Sequence, residues 1–218
     1  SMVEIKICGV RELEHALLAR KHGAKFIGMV FFENSKRNIS LQQASVLSNG
    51  LNASIVKIGL VVNATNFFLE KIQKYVALDM FQLHGSETPD RVMEIKAFTG
   101  KPVVKAIAIS SKEDLKKLNE YESVCEKLLV DSKPSKTSLA PGGTGMPFDW
   151  QLLRGRTWDK PWMLAGGLTV ENVGQAVETT DAKIVDISSG VENSSGEKCP
   201  KKIIAFCDAV KRIGNVKK

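Results

Sequence analysis

Short apolar runs and longer amphipathic segments alternate along the whole chain. The runs lie at 3–8, 26–32, 54–62, 78–83, 103–109, 127–130, 162–165 and 183–187. They are apolar at successive positions rather than at every second one. This predicts strands buried on both faces, as in a parallel sheet covered by helices. Between the runs, apolar residues recur at helical spacing. Leu13, Ala16 and Leu17 mark a first helix that ends near Gly23, and Leu41, Ala44 and Val46 a second that Ser40 caps. Thr65 caps a third, carrying Phe68, Leu69, Ile72 and Val76. Thr88-Pro89 starts a fourth, with proline at the first helical position. A fifth runs from Asp114 to Leu118 behind Ser111, and a short sixth spans 148–153. Thr169 caps a seventh with Val170, Val173 and Val177. Pro200 opens the last, with Ile203, Phe206, Cys207 and Val210.

Eight strands and eight helices in strict alternation predict an α/β fold, a (β/α)₈ TIM barrel, as a single domain over residues 2–218. Ser1, ahead of Met2, is expected to be foreign to the fold. A doubly wound open sheet is the competing architecture. Its mark is G-x-G-x-x-G after the first strand, and Cys8-Gly9-Val10-Arg11 stands there instead. No linker is long or polar enough to divide the chain.

Composition narrows the function classes. Hydrophobic residues make up 43% of the 218 and charged residues 25%, so a core forms without staples. The net charge of +7 is dispersed, with small clusters at Lys116-Lys117, Lys201-Lys202 and Lys217-Lys218. Without a long basic run or basic–aromatic interleaving, nucleic acid is not the expected partner. The balance suits an anionic small molecule. Cys8, Cys125, Cys199 and Cys207 form no C-x-x-C pair and no metal-finger spacing. Free thiols and a reducing, cytoplasmic location are expected. No signal peptide precedes the first strand, and no apolar run approaches the ~20 residues of a membrane span.

A barrel builds its site at the C-terminal ends of its strands. The first strand ends with Lys6 and Cys8 on one face, two residues apart. The second leads to Asn34, Ser35, Lys36 and Arg37. The fourth ends on Gln82 and His84, the sixth on Asp131, and the eighth carries Asp186 before Ser188, Ser189 and Gly190. Glycines follow each of the last three strands: Gly142, Gly143 and Gly145 around Thr144, then Gly166-Gly167, then Gly190. Free glycine amides bind phosphate, and barrels place a phosphate site after strands seven and eight. As isolated turns, the same glycines need only supply positive φ. No Walker loop is present. Cys8 reads either as a small buried hydrophobe or as a thiolate lowered by nearby positive charge such as Lys6. Asp131 reads as a turn cap or as an acid facing Cys8, and Arg37 as a solvated side chain or a carboxylate clamp. Segment 132–141 is a candidate lid.

Several of these residues fall in segments that resemble the phosphoribosylanthranilate isomerase family: KICG at 6–9, GMVFFENSKRNIS at 28–40, FQLHGSE at 81–87, GGTGMPFDW at 142–150, LAGGLTVENV at 164–173 and VDISSGVENSSGEK at 185–198. The segments span the chain in the family's order. The resemblance implies a (β/α)₈ barrel that performs an Amadori rearrangement of N-phosphoribosylanthranilate in tryptophan biosynthesis. It implies Cys8 as general base and Asp131 as general acid. Arg37 would hold the anthranilate carboxylate, with Gln82, His84 and Asp186 lining the pocket. Gly143, Thr144, Gly145, Gly166, Gly167, Ser188, Ser189 and Gly190 would hold the phosphate. No metal or organic cofactor is implied. The expected partner is the phosphosugar alone, with no nucleic acid and no membrane, the chain acting as a monomer or homodimer. Cys199, Met146-Pro147 and Asn34 depart from the family's usual residues without touching the acid–base pair. The alternatives are a non-catalytic barrel that binds a phosphometabolite, or an isomerase of a related aminoaldose phosphate.

Overall fold

A computed structural model of the protein describes residues 2–132 and 149–216. Eight parallel strands close into one barrel in chain order: β1 (Glu4–Cys8), β2 (Phe26–Val30), β3 (Val56–Val61), β4 (Met80–Leu83), β5 (Val103–Ile109), β6 (Lys127–Ser132), β7 (Trp162–Ala165) and β8 (Ile184–Ile187). The closing seam sets β1 beside β8 with Ile5 opposite Val185 and Lys6 opposite Asp186. Strand residues are buried almost throughout, because helices cover the outside and side chains fill the inside.

The helices described are α1 (Leu13–Lys21), α2 (Leu41–Leu51), α3 (Asn66–Tyr75), α4 (Pro89–Thr99), α5 (Leu115–Glu122), α6 (Val173–Thr180) and α7 (Pro200–Val216). The expected caps are in place. Ser40 Oγ accepts from the Gln43 N–H while Gln43 Oε1 accepts from the Ser40 N–H, both at 3.0 Å. Thr65 and Thr88 each accept from the third residue on, at 3.1 Å. Thr169 and Asn172 cap one another across a turn, so α6 begins later than its apolar pattern suggests.

Strict alternation breaks at the sixth unit. The described part of 148–153 is a 3-10 turn, Trp150–Leu153, held by Asp149 and followed by Gly155 at φ +74°. Five residues between a cap and a left-handed glycine are too few for an α-helix. Boundaries also move elsewhere. β3 starts at Val56 because Asn52–Ser54 forms a 3-10 turn, and β6 runs on to Ser132.

Inside the barrel, Phe26, Ile58, Met80, Val104, Leu129, Met163 and Ile184 form an apolar plug toward the strands' N-terminal ends. A larger shell between strands and helices includes Ile7, Ile27, Phe81, Val130 and Phe206. Of the three cysteines whose sequence context marks them as packing residues, Cys125 and Cys207 are buried in that shell and Cys199 is half-buried. The plug closes one end of the barrel and leaves the other as the place for chemistry. Among the described residues, no helix is long and apolar enough to cross a membrane.

Asp114 supports the turn into α5. Its Oδ2 accepts from the Ser110 and Ser111 N–H groups at 2.9 and 3.2 Å, and its Oδ1 from Lys117 at 3.1 Å. The Ser110 N–H is the largest of the influences that hold its carboxyl at about 2, against 3.8 in an ordinary aspartate. A carboxyl lower in the folded state stabilises fully above the unfolded value and loses that contribution as pH falls through the folded value. Asp114→Asn should therefore cost about 1 kcal/mol in urea unfolding at neutral pH. The gap from wild type should shrink as pH falls below 3.8 and vanish only below about 2.

Candidate active site

At the open end of the barrel lies a cavity of about 560 Å³, lined by residues from seven of the eight strands or the loops that follow them. That volume suits a small organic ligand. Cys8, Arg37, Gln82, His84, Asp131, Gly166, Gly167, Asp186, Ser188 and Ser189 all face it. Gly190 does not line it and packs against the Leu168 carbonyl, where an added Cβ would sit at 2.3 Å. Gly143, Thr144, Gly145 and the candidate lid past Ser132 lie outside the described residues.

The cavity has two different walls. On the β2–β3 side, Val30, Phe32, Leu60 and Val62 present an apolar surface beside Cys8. On the β7–β8 side, Gly166, Gly167, Ser188 and Ser189 present small residues and backbone. Gly166 and Gly167 take φ of +98° and +69°, so the turn does need glycine. At Gly166 a side chain would also strike Ser132 O at 2.4 Å and Asp131 Oδ1 at 2.9 Å. At Gly167 the space is open. An apolar slot facing a glycine-and-hydroxyl ledge fits a ligand with a flat apolar end and an anionic end.

Cys8 ends β1 opposite Gly28 of β2. A Cβ at Gly28 would stand 2.7 Å from Cys8 Sγ, so the glycine makes room for the sulfur. Beneath Cys8, Lys6 is wholly buried. Its Nζ lies 2.6 Å from Gln82 Oε1 and 3.0 Å from Asp186 Oδ1. Burial pulls the Lys6 ammonium down. Asp186 and Cys8 more than offset this, and the group stays charged.

The expectation of a lowered Cys8 thiol is corrected here. Burial pushes the thiol up, Lys6 and Lys198 pull it down, Asp186 pushes it up again, and the net shift is upward from 9.0. Lys6 is present as expected, but burial outweighs its pull and Asp186 opposes it.

Asp131 is the penultimate residue of β6, three strands round the ring from β1 by way of β7 and β8. Its Oδ2 lies 3.5 Å from His84 Nε2. The loop that follows His84 is pinned from below. Glu87 accepts from the Gly85 N–H at 2.9 Å, the Asn63 N–H at 2.8 Å and Lys105 Nζ at 2.8 Å. Lys105 and Glu87 are both buried, and the bonds to Lys105 and the backbone hold the Glu87 carboxyl low although burial alone would raise it.

Arg37 is a clamp, but it already grips a carboxylate of its own chain. Its Nε and one Nη each donate to Glu192 at 2.7 Å. Glu192 also accepts from Lys198 at 2.7 Å, and Lys198 donates to Ser188 O and Oγ at 3.1 Å. Ser188 Oγ in turn donates to the Cys8 carbonyl at 3.0 Å. Among the described residues, no hydrogen bond is seen from the second Nη of Arg37, and the side chain lines the cavity. The sequence reading did not single out Glu192 and Lys198 as individual site residues. The signal for them was faint: a glutamate and a lysine six apart in a loop rich in glycine and serine.

Comparisons with known proteins agree with this geometry. The family model described as N-(5'phosphoribosyl)anthranilate (PRA) isomerase matches residues 5–209. The chain belongs to that family. An N-(5'-phosphoribosyl)anthranilate isomerase of Cereibacter sphaeroides is 44% identical over 209 residues, covering 96% of this chain and 99% of the relative. One of Paracoccus denitrificans is 46% identical over 204 residues, covering 94% and 95%. Among solved structures, the phosphoribosyl anthranilate isomerase of Thermotoga maritima superposes with a TM-score of 0.84 at 35% identity, covering 97% of this chain and 100% of that one. A phosphoribosyl anthranilate isomerase in complex with reduced 1-(o-carboxyphenylamino)-1-deoxyribulose 5-phosphate superposes with a TM-score of 0.82 at 33% identity, with the same coverage. The family identity accounts for the barrel fold.

Glu192 holds two cations in little space, and its side chain and that of Lys198 are 4% and 3% exposed. Removing one member of a buried pair strands the other charge. Glu192→Ala should therefore lower stability by about 3 kcal/mol in urea unfolding, with Glu192→Gln losing less. Equal midpoints for Glu192→Ala and wild type would show that the pair is solvated.

Proposed function

We propose that this protein isomerises N-(5'-phosphoribosyl)anthranilate to 1-(o-carboxyphenylamino)-1-deoxyribulose 5-phosphate, the family's step in tryptophan biosynthesis, with Asp131 as general acid and Cys8 as general base. The observation that carries the roles is that Cys8 and Asp131 line one cavity from separate strands, with no other thiol among its described lining residues. The anthranilate ring fits the Val30–Phe32–Leu60–Val62 wall. Its carboxylate meets the free Nη of Arg37, and the phosphate meets the backbone and hydroxyls at Gly166, Gly167, Ser188 and Ser189. The glycine turn at 142–145 is assigned to the same end on its sequence alone.

The steps follow from the substrate's bonds. Asp131 gives its proton to the furanose ring oxygen. The bond from that oxygen to C1 breaks, and the nitrogen lone pair forms a C1=N iminium. The Cys8 thiolate takes the proton from C2. The C2–H electrons form C1=C2 and the C1=N pair returns to nitrogen, leaving an enolamine. This then loses its hydroxyl proton and gains one at C1 to become the ketose. Asp131 regains a proton and Cys8 loses one to solvent, so the cycle closes. The raised thiol fits this order. The iminium is a cation formed next to Cys8, and it favours thiolate at the moment a base is needed.

Two measurements test the proposal. Loss of substrate fluorescence should report turnover by the wild type. Cys8→Ala and Asp131→Asn should each lower kcat by ~10²–10⁴-fold while still binding the reduced product analogue. Full turnover in either variant removes that residue from the mechanism. A thiol is alkylated as its thiolate, and burial pushes this one up from 9.0. The rate of Cys8 alkylation by iodoacetamide, with Cys8→Ala as the blank, should therefore keep rising with pH through neutrality. A plateau near neutrality would mean that Lys6 holds the thiol low.

A further inference from the structure

Lys6, Gln82 and His84 form a directional chain that ends at Asp131. The ammonium of Lys6 has three donors and no acceptor. At 2.6 Å it must face the amide oxygen of Gln82, not the amide nitrogen. Gln82 is almost wholly buried, so its other end has one polar neighbour within reach: Nε2 lies 3.0 Å from His84 Nδ1. An amide nitrogen only donates. His84 Nδ1 therefore accepts, and the ring proton sits on Nε2, which faces Asp131 Oδ2 at 3.5 Å. An imidazolium would set an N–H on Nδ1 against the amide N–H of Gln82, donor against donor.

We propose that Lys6 and Gln82 are positioning residues: the buried ammonium orients the Gln82 amide, and the amide holds His84 as the neutral Nε2–H form facing Asp131. The catalytic consequence rests on the reading of Asp131 as the acid. A neutral N–H at Oδ2 leaves Oδ1 to carry the proton toward the sugar ring oxygen. A cationic ring at the same place would favour ionised Asp131 and remove the proton the reaction needs. Asp186 completes the device, because its carboxylate keeps a wholly buried Lys6 charged. Without that charge, nothing would define which end of Gln82 points inward.

The test uses Gln82→Glu. A carboxylate accepts at both ends. It keeps the contact to Lys6 but draws a proton onto His84 Nδ1. Long-range 1H–15N correlations of the imidazoles resolve three histidines, His15, His22 and His84, and His84→Asn assigns the third. The wild type should show His84 with its proton on Nε2. Gln82→Glu should move a proton to Nδ1 and lower kcat by at least about tenfold, with less than threefold change in affinity for the reduced product analogue. Gln82→Met keeps the side-chain volume and removes both amide groups, so its His84 tautomers should average and kcat should fall in the same direction. Unchanged His84 nitrogen shifts in both variants overturn the chain of contacts. Shifted nitrogens with unchanged kcat overturn the positioning role. If the wild type does not turn over the substrate at all, the functional reading fails, while the nitrogen shifts still decide whether Lys6 and Gln82 set the tautomer.

Discussion

A charge wholly removed from water survives only where an opposite charge and hydrogen bonds replace its hydration. Lys6 meets that condition at the seam that closes the barrel, where it stands in register with Asp186. The closing pair of strands and the floor of the cavity thus share one side chain. From it, contacts run toward Cys8 above and toward Gln82 on the far side. Deleting Lys6 would disturb closure, thiol and amide together. Few other positions in the molecule connect so many functions through so short a path.

The rest of the site is a matter of counted charges. Lys6, Arg37 and Lys198 pair with Asp186 and Glu192 at or beneath the cavity. Three cations against two carboxylates leave one excess positive charge among these pairs, which suits an anionic ligand. Glu192 keeps Arg37 and Lys198 from simply repelling each other, and it orients the guanidinium so that one Nη remains free. The cost is that burial pulls Lys198 down despite its partner. The site is therefore built from paired charges, while Asp131 faces the His84 ring rather than a lysine or arginine.

Much of this was legible in the chain because it is encoded by local periodicity. Apolar runs buried on both faces, caps at Ser40, Thr65 and Thr88, and polar residues at strand ends all depend on neighbours a few positions away. The barrel and most of the cavity's lining follow from them. What misled was chemistry that depends on distant partners. Cys8 beside Lys6 read as an acidified thiol, but the burial of its sulfur, with Asp186 far along the chain, outweighs the lysine. Arg37 read as an open clamp, and Glu192, a hundred and fifty-five residues on, already occupies it. The sixth helix failed for a local reason that the apolar pattern hid, since Gly155 ends the segment after a single turn.

Sequence by itself determined the alternation of elements, the strand ends that carry Cys8, Asp131, Gln82 and His84, and the family to which the motifs point. Those depend on side-chain period and on glycine and capping residues, which act over one or two turns of chain. The tertiary structure alone decided the charge state of Cys8, the occupation of Arg37 and the direction of the Lys6–Gln82–His84 chain. Each of these is set by what a buried group meets across the barrel, and in a low-dielectric interior the nearest opposite charge or donor outweighs anything the neighbouring residues can specify.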